Sequence, residues 1–226
     1  MTLAARTVLK LVYIVVTSAA MLFVPAWSLH FWQGWIYLVV TVGSWVIISL
    51  WLLKTDPQLM ERRMQTQESD PAQKLFQKLA TAIFFPAMLL PGFDFRFGWT
   101  RNWLAAVPVW VVLVGQAAAL AGSCVIFWAL KANSFAGKTI QVEAGQTLIS
   151  SGPYAMVRHP FYAGLSVWAL GTPFALGSYL DVPLFALLVP VFVYRLVNEE
   201  KVLRRDLSGY ADYCGRTRFR LVPGLW

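Results

Sequence analysis

Long apolar stretches separated by short polar segments dominate the chain. They cover residues 11–29, 33–53, 79–93, 103–130, 161–180 and 182–197. Several reach the length of about 20 residues that a membrane-spanning helix needs. Only Asp181 separates the last two, which predicts a tight C-terminal helical hairpin; its prolines and glycines leave open whether it crosses fully or is re-entrant. The pattern therefore predicts an all-α fold, a polytopic membrane helix bundle of five to six spans.

Two polar segments differ from simple loops. Residues 139–143 and 147–151 alternate between polar and apolar side chains around a three-residue turn, which predicts a small cytoplasmic β-hairpin over the mouth of the bundle. Beyond Glu200 the helical pattern ends near Leu207, and an aromatic and basic tail follows. We expect this tail to lie back on the bundle or on the lipid headgroups.

The basic residues predict the orientation in the membrane. If both termini are cytoplasmic, all but Arg96 and Arg101 of the 19 lysines and arginines lie on the cytoplasmic side. The positive-inside rule favours this topology. We therefore expect a multi-pass integral membrane protein, in a bacterial inner membrane, with both termini cytoplasmic. The net charge of +8 then reflects contact with membrane lipids, and no nucleic-acid partner is expected.

The composition excludes several classes of site. With two histidines and two cysteines, the chain has too few ligands for a metal cluster and too few cysteines for a disulfide framework. Its glycines never come closer than six positions, so neither a dinucleotide-binding fingerprint nor a phosphate-binding loop is present. The charged content of 13% is about half the roughly 25% of a soluble domain. The 226 residues also leave no room for a membrane bundle plus a separate soluble enzyme domain of about 150 residues, so we expect any chemistry to lie on the membrane bundle itself.

The first candidate site is the segment 151–164, where unusual residues are densest. Pro160 disfavours helical geometry at His159 and suits the first turn of a helix, so a helix should begin there. Its free backbone N–H groups would lie beside Arg158 and His159 and could attract an anion. Alternatively, Arg158 extends to lipid phosphates and His159 only caps the helix.

The second candidate is the polar end of the last apolar run. Arg195 and Glu199 are four residues apart, as are Glu200 and Arg204, so each pair shares a helical face. An ordinary surface ladder of ion pairs is the alternative. However, Arg195 lies inside the apolar run, where a charge is costly and usually faces the bundle interior. Together the two candidates predict a pocket at the cytoplasmic mouth, open sideways to lipid.

The C-terminal part of the chain resembles the isoprenylcysteine carboxyl methyltransferase and phospholipid methyltransferase superfamily of integral membrane proteins. The resemblance covers residues 133–226. Its motifs are Gly152-Pro153-Tyr154, Arg158-His159-Pro160 with Tyr162 and Gly164, Glu199-Glu200 with Leu203, Gly209-Tyr210 and the closing Arg220-Leu221-Val222-Pro223-Gly224.

The resemblance implies an S-adenosyl-L-methionine-dependent methyltransferase with a lipophilic acceptor. It divides one integrated membrane domain into N-terminal spans, residues 1–130, and a cofactor-binding and catalytic region, residues 131–226. The cofactor-binding residues it implies are Tyr154, Arg158, His159, Pro160, Tyr162, Gly164 and Glu199. The residues it places beside the acceptor are Arg195, Glu200 and Arg204. Which of the two glutamates meets the cofactor's ammonium group stays open.

Methyl transfer from a sulfonium is compatible with these residues, because alignment of the reactants and exclusion of water supply much of the rate acceleration. A carboxylate acceptor needs only a cation such as Arg195 to hold it. An amine or hydroxyl acceptor needs a base, and Glu200 is the nearest candidate. Two alternatives remain at this stage: a membrane sterol or lipid reductase that uses NADPH, and a non-catalytic lipid-binding membrane protein.

Overall fold

The structure, a computed structural model, describes residues 1–65, 71–140, 142–143 and 145–226. The described residues are helical throughout, apart from turns and loops. The α-helices are α1 (Leu3–Ala26), α2 (Trp32–Tyr37), α3 (Gly43–Thr55), α4 (Pro57–Met64), α5 (Pro71–Phe97), α6 (Trp99–Trp103), α7 (Val109–Ala132), α8 (Pro160–Ala175), α9 (Val182–Asp206) and α10 (Tyr210–Arg216). A π-helix, Leu38–Val42, joins α2 to α3, and 3₁₀ turns cover Gly152–Ala155 and Tyr179–Asp181.

Five helical segments are long and apolar enough to cross a membrane, which confirms the predicted all-helical membrane architecture. They are Leu3–Ala26, Trp32–Thr55, Ala72–Phe97, Val109–Ala132 and Tyr179–Asp206. Helix α8 has 16 residues and is therefore about 24 Å long, less than the roughly 30 Å of a hydrocarbon core. It packs against α7 and α9, and with α9 it forms the C-terminal helical hairpin.

The predicted β-hairpin is wrong for the part of 139–151 that the structure describes, since no strand occurs there. Gln141 and Ala144, which belonged to that prediction, lie outside the described residues. Glu143 and Gln146 instead close a turn, in which the Gln146 N–H donates to the Glu143 carbonyl at 3.0 Å. Residues on both sides of this turn line a cavity. Consecutive residues, among them Thr147, Leu148 and Ile149, line this cavity, so the segment covers a cavity and does not form a strand ladder.

Helices α7 and α8 approach so closely that only glycine fits at their crossing. A Cβ atom added at Gly122 would lie 2.6 Å from the Gly164 carbonyl oxygen, and one added at Gly164 would lie 2.7 Å from the Gly122 oxygen. Backbone atoms cannot move aside to make room for a Cβ atom at these distances. This crossing fixes the start of α8, and with it His159, close to the C-terminal end of α7.

Both ends of the described chain lie at the same end of the bundle. Arg6 in the first turns of α1 donates to Glu61 of α4 at 3.0 Å. The next residue of α4, Arg62, donates to Glu143 at 2.7 Å. Arg195 of α9 in turn donates to the carbonyl of Lys138. We call this end, formed by α4, residues 133–140 and 145–159, and the C-terminal part of α9, the mouth of the bundle.

The segment after α10 folds back onto the mouth, as predicted. The backbone N–H of Arg158 donates to the Phe219 carbonyl, and that of His159 donates to the Arg220 carbonyl, both at 2.9 Å. These bonds satisfy two backbone groups that precede α8. The C-terminal segment therefore holds the start of α8 in place.

Candidate functional site

A cavity of about 290 Å³ opens at the mouth of the bundle. Its walls come from α4, α5, residues 133–140, 146–149 and 154–159, the first turns of α8, the C-terminal part of α9, and α10. Arg63 and Phe76 come from the N-terminal part of the chain, so residues outside the region of resemblance also form the cavity. The two sequence candidates, around His159 and around Arg195, meet in this one cavity.

A hydrogen-bonded chain of three side chains crosses from α8 to α9 in the cavity wall. The Tyr162 hydroxyl donates to Glu199 Oε2 at 2.8 Å, and Arg195 Nε donates to the Tyr162 oxygen at 2.9 Å. The Arg195 guanidinium also lies over the ring of Phe76, 4.6 Å from its centroid. Arg195 is 7% exposed, so the prediction that this charge faces the bundle interior is confirmed.

Glu200 contacts two arginines and a histidine and is only 4% exposed. Arg158 Nε donates to its Oε1 at 2.7 Å, and Arg220 Nε donates to its Oε2 at 3.1 Å. The Nε2 atom of His159 lies 3.2 Å from Oε1. A buried carboxylate with such partners compensates charges that would otherwise be costly to bury. Glu200 is thus placed to anchor the site, whereas Glu199 lines the cavity itself.

Neither alternative role proposed for Arg158 and His159 fits the geometry. Arg158 is 7% exposed and its guanidinium also donates to the carbonyls of Thr217 and Arg218 at 3.3 Å, so it does not extend to lipid phosphates. The His159 side chain makes no capping hydrogen bond, although α8 begins at Pro160 as predicted. Both side chains instead stand between the cavity and Glu200.

Three of the predicted site residues do not line the cavity: Glu200, which lies behind Arg158 and His159, and Gly164 and Arg204, which lie elsewhere. Gly164 belongs to the crossing of α7 and α8 described above, where its role is close packing. Arg204 is exposed and belongs to the last turn of α9. The remaining predicted residues that line the cavity are Tyr154, Arg158, His159, Pro160, Tyr162, Arg195 and Glu199.

Sequence reasoning missed two cations of the cavity. Asp56 caps α4 by accepting the Leu59 N–H at 2.9 Å, and this short helix places Arg63 with its guanidinium over the Phe161 ring, 4.8 Å from the centroid. Lys138 lines the cavity as well. Burial, then the charges of Lys10, Arg195 and Arg63, lower the pKa of Lys138.

We call Arg63, Lys138 and Arg195 the cationic wall. Glu199 is the one carboxylate among the described residues that line the cavity. Arg63 is separated from the other two by more than 70 residues of sequence, and no spacing rule connects them. The cavity therefore has a cationic side and a single anionic group, which suits a zwitterionic ligand or two ligands of different charge.

Tyrosines form the remaining polar surface of the cavity. The Tyr213 hydroxyl donates to the Tyr154 carbonyl at 2.6 Å. Burial raises the pKa of Tyr154 and Tyr210, and raises that of Tyr213 to about 12, so all three are neutral phenols at physiological pH. The buried Tyr210 hydroxyl has no hydrogen-bond partner in the described part of the chain. A buried hydroxyl without a partner is costly, and a ligand in the cavity could supply one.

Comparison with known proteins finds a matching family and relatives that align with part of the chain. Residues 111–205 match the model of the isoprenylcysteine carboxyl methyltransferase family. Protein-S-isoprenylcysteine O-methyltransferase of Schizosaccharomyces pombe is 37% identical over 79 residues, 34% of this chain and 32% of the relative. The protein of that name from Mus musculus is 30% identical over 116 residues, 50% of this chain and 39% of the relative.

Delta(14)-sterol reductase of Mus musculus is 33% identical over 92 residues, 39% of this chain and 22% of the relative. The aligned parts thus span less than half of each of these three relatives. The matched residues include α8, most of α9 and the cavity residues His159, Arg195 and Glu199. The resemblance predicted from the sequence is therefore confirmed: residues 111–205 carry the sequence pattern of the isoprenylcysteine carboxyl methyltransferase family.

Proposed function

We propose that this protein is an integral membrane methyltransferase that transfers a methyl group from S-adenosyl-L-methionine to a lipophilic acceptor. The observation that carries the proposal is the cavity at the mouth, which holds Glu199 together with the cationic wall; Glu199, Lys138 and Arg195 lie within the region that matches the family. The names of the methyltransferase relatives support it.

The residues of the cavity fit this cofactor. Its amino-acid part carries both charges: Glu199 suits the ammonium group, and one cation of the cationic wall suits the carboxylate, which leaves the other cations for an acceptor. Tyr154 and Tyr210 offer aromatic surface, and the unpaired Tyr210 hydroxyl offers a hydrogen bond. The volume of about 290 Å³ is at the lower end of the roughly 300–1,000 Å³ of small-molecule sites. When bound, the cofactor supplies an electrophilic methyl group.

We assign the residues around the cavity to cofactor binding, to support of the site and to exclusion of water. Tyr154, His159, Pro160, Tyr162 and Glu199 hold the cofactor. Arg158 acts indirectly, because its guanidinium is bound to Glu200. The apolar walls exclude water from the reacting atoms.

The cationic wall favours an acceptor with an anionic group, such as a carboxylate on a lipid. Arg195 and its neighbours hold that group in place, and a carboxylate needs no base to become nucleophilic. This agrees with a family named for a carboxyl methyltransferase. Because Glu200 is bound to Arg158 and Arg220, it is not free to act as the base that an amine or hydroxyl acceptor would require.

The mouth is placed on the cytoplasmic side of a bacterial inner membrane in this proposal. Both described ends of the chain lie at the mouth, together with α4 and the loop that carries Lys138. Lysines and arginines concentrate in these segments, as the positive-inside rule requires of cytoplasmic ones.

A binding and turnover experiment tests the proposal. Calorimetry with S-adenosylhomocysteine should detect binding to the purified protein, and Glu199→Gln should weaken it by about tenfold or more, because a charge-assisted hydrogen bond is lost. The matched control is Glu61→Gln at the exposed pair with Arg6, which should bind normally. Labelled methyl donor should also transfer its label into the lipid extract. Absence of both binding and label would contradict the proposal.

The match to a sterol reductase supports a second candidate, a lipid reductase that uses NADPH. The cationic wall would also suit the phosphate groups of that cofactor. The same calorimetry separates the two candidates, since a methyltransferase should bind S-adenosylhomocysteine and not NADPH. NADPH binding followed by its oxidation with a lipid would establish the reductase instead.

A further inference from the structure

Two buried aspartates lie at the end of the bundle opposite the mouth, which we call the outer end. Asp94 of α5 follows Phe76 of the mouth cavity by 18 residues, and is therefore about 27 Å from it along the helix. Asp181 directly precedes α9, whose other end carries Glu199. Asp94 is 3% exposed and Asp181 is 0% exposed. We call Asp94 and Asp181 the outer aspartates.

Asp94 has several hydrogen-bond donors. Its Oδ1 atom accepts the backbone N–H of Thr100 at 2.7 Å, and its Oδ2 atom accepts the hydroxyl groups of Thr100 and Ser178. Hydrogen bonds of this kind favour the ionised form of a carboxyl group. Asp94 therefore places a negative charge at the outer end.

Asp181 differs from Asp94, because neither of its carboxylate oxygens has a hydrogen-bond partner in the described part of the chain. Asp181 occupies the N-cap position of α9, where an aspartate commonly accepts an N–H of the first turn, but its side chain makes no capping hydrogen bond. The positive N-terminal end of the α9 dipole still favours a negative charge there. A buried carboxylate without donors is costly, so Asp181 requires a compensating positive charge.

Basic side chains do not supply this charge within the part of the chain that the structure describes. Arg96 and Arg101 are the basic residues nearest to Asp94 in the sequence. The Arg96 guanidinium lies over the rings of Trp27 and Phe97, at 5.7 and 5.2 Å from their centroids. Neither arginine forms an ion pair with an outer aspartate. The compensating charge must therefore come from outside the chain.

Short connections bring the outer aspartates together. The Asp181 N–H donates to the Ser178 carbonyl at 3.4 Å, and the Ser178 hydroxyl donates to Asp94. The Leu180 N–H donates to the Thr100 hydroxyl, also at 3.4 Å. The two carboxyl groups are close enough for their charges to interact. Two carboxylates and two hydroxyl groups thus meet at one place, and hard cations such as Ca²⁺ prefer oxygen ligands of this kind.

We propose that the outer aspartates bind a divalent cation that prefers oxygen ligands, such as Ca²⁺. Their two negative charges match the charge of the ion, the hydroxyl groups of Ser178 and Thr100 lie beside it, and water molecules complete its coordination. The ion connects α5 and α6 to the turn between α8 and α9. Because it binds the folded protein, it stabilises the outer end of the bundle.

Thermal unfolding in nanodiscs of neutral lipid, with EDTA or with calcium chloride, tests this inference. Calcium at about tenfold its dissociation constant should raise the Tm of the parent protein by roughly 3–6 °C. Asp181→Asn should abolish this increase. In EDTA, the same variant should unfold no earlier than the parent, because it lacks the uncompensated buried charge.

Asp212→Asn is the matched control, since Asp212 is an exposed carboxylate of α10. This variant should respond to calcium like the parent protein. An Asp181→Asn variant that responds equally would overturn the inference. So would a parent protein whose Tm depends on pH but not on calcium, because a proton would then neutralise Asp181.

Terbium luminescence locates the ion, because Tb³⁺ replaces Ca²⁺ at oxygen sites and is excited through a nearby tryptophan. Trp99 directly precedes Thr100, so Trp99→Phe should reduce the emission, and added calcium should displace the terbium. Trp128→Phe is the control at the mouth, where the Trp128 indole nitrogen faces Gly152. It should leave the emission unchanged. Equal losses in the two variants would place the ion elsewhere and overturn the inference.

Discussion

Glu200 shows how a single buried carboxylate can hold a site together. It joins the segment before α8, helix α9 and the C-terminal segment through Arg158, His159 and Arg220. Replacing it with glutamine leaves the buried Arg158 and the partly buried Arg220 without a compensating charge. We therefore expect Glu200→Gln to lower the free energy of unfolding by about 3–5 kcal/mol.

Thermal unfolding of the detergent-solubilised protein measures this effect. The matched control is again Glu61→Gln, since its partner Arg6 is largely exposed and such pairs contribute about 0–1 kcal/mol. An equal, small change in both variants would show that Glu200 does not anchor the mouth.

Individual residues also show what the sequence could and could not predict. Pro160 fixed the start of α8, because the conformational restriction of proline is local. Arg195 was predicted as a site residue because a charged side chain inside an apolar run is energetically costly and usually faces the bundle interior. Arg63 was missed, because its place in the cavity depends on how α4 packs against residues far along the chain. Likewise, only packing decided that Glu199, and not Glu200, faces the cavity.

Among the elements, the contact between α7 and α8 positions the start of the site. Gly122→Ala places a methyl group against the backbone of α8, 2.6 Å from the Trp168 nitrogen. We expect a loss of about 1–3 kcal/mol in the free energy of unfolding, because overpacking forces the two helices apart. Weaker binding of S-adenosylhomocysteine should accompany it, since His159 and Tyr162 move with α8.

The control is Gly215→Ala in α10, where an added Cβ would meet no atom within 4 Å. This variant should unfold like the parent protein or be slightly more stable, because alanine has the higher helix propensity. If Gly122→Ala behaved in the same way, the close crossing would not be a stabilising contact.

Elements also differ in how far the sequence determines them. The apolar runs predicted the membrane helices, because in lipid a long apolar segment satisfies its backbone groups only as a helix or a closed barrel. The β-hairpin prediction failed because residues 146–149 line the cavity as an irregular segment and do not pair as strands. The π-helix left no trace in the sequence pattern that we could interpret.

For the whole molecule, the shared position of the two described ends predicts the result of a topology assay. Green fluorescent protein fused to either end should fluoresce in a bacterial host, because it folds in the cytoplasm. Alkaline phosphatase inserted between α6 and α7, at residues 104–108, should be active, because that loop lies at the opposite end of the bundle. Phosphatase activity at either terminus would reverse the orientation proposed here.

Leu165 of α8 lines the cavity at the mouth and also a second, mostly apolar cavity of about 420 Å³ between α1, α3, α5, α8 and α9. The two compartments therefore share this side chain as part of their walls. A substitution at this one position changes the lining of both at once, so its effect is not confined to the mouth.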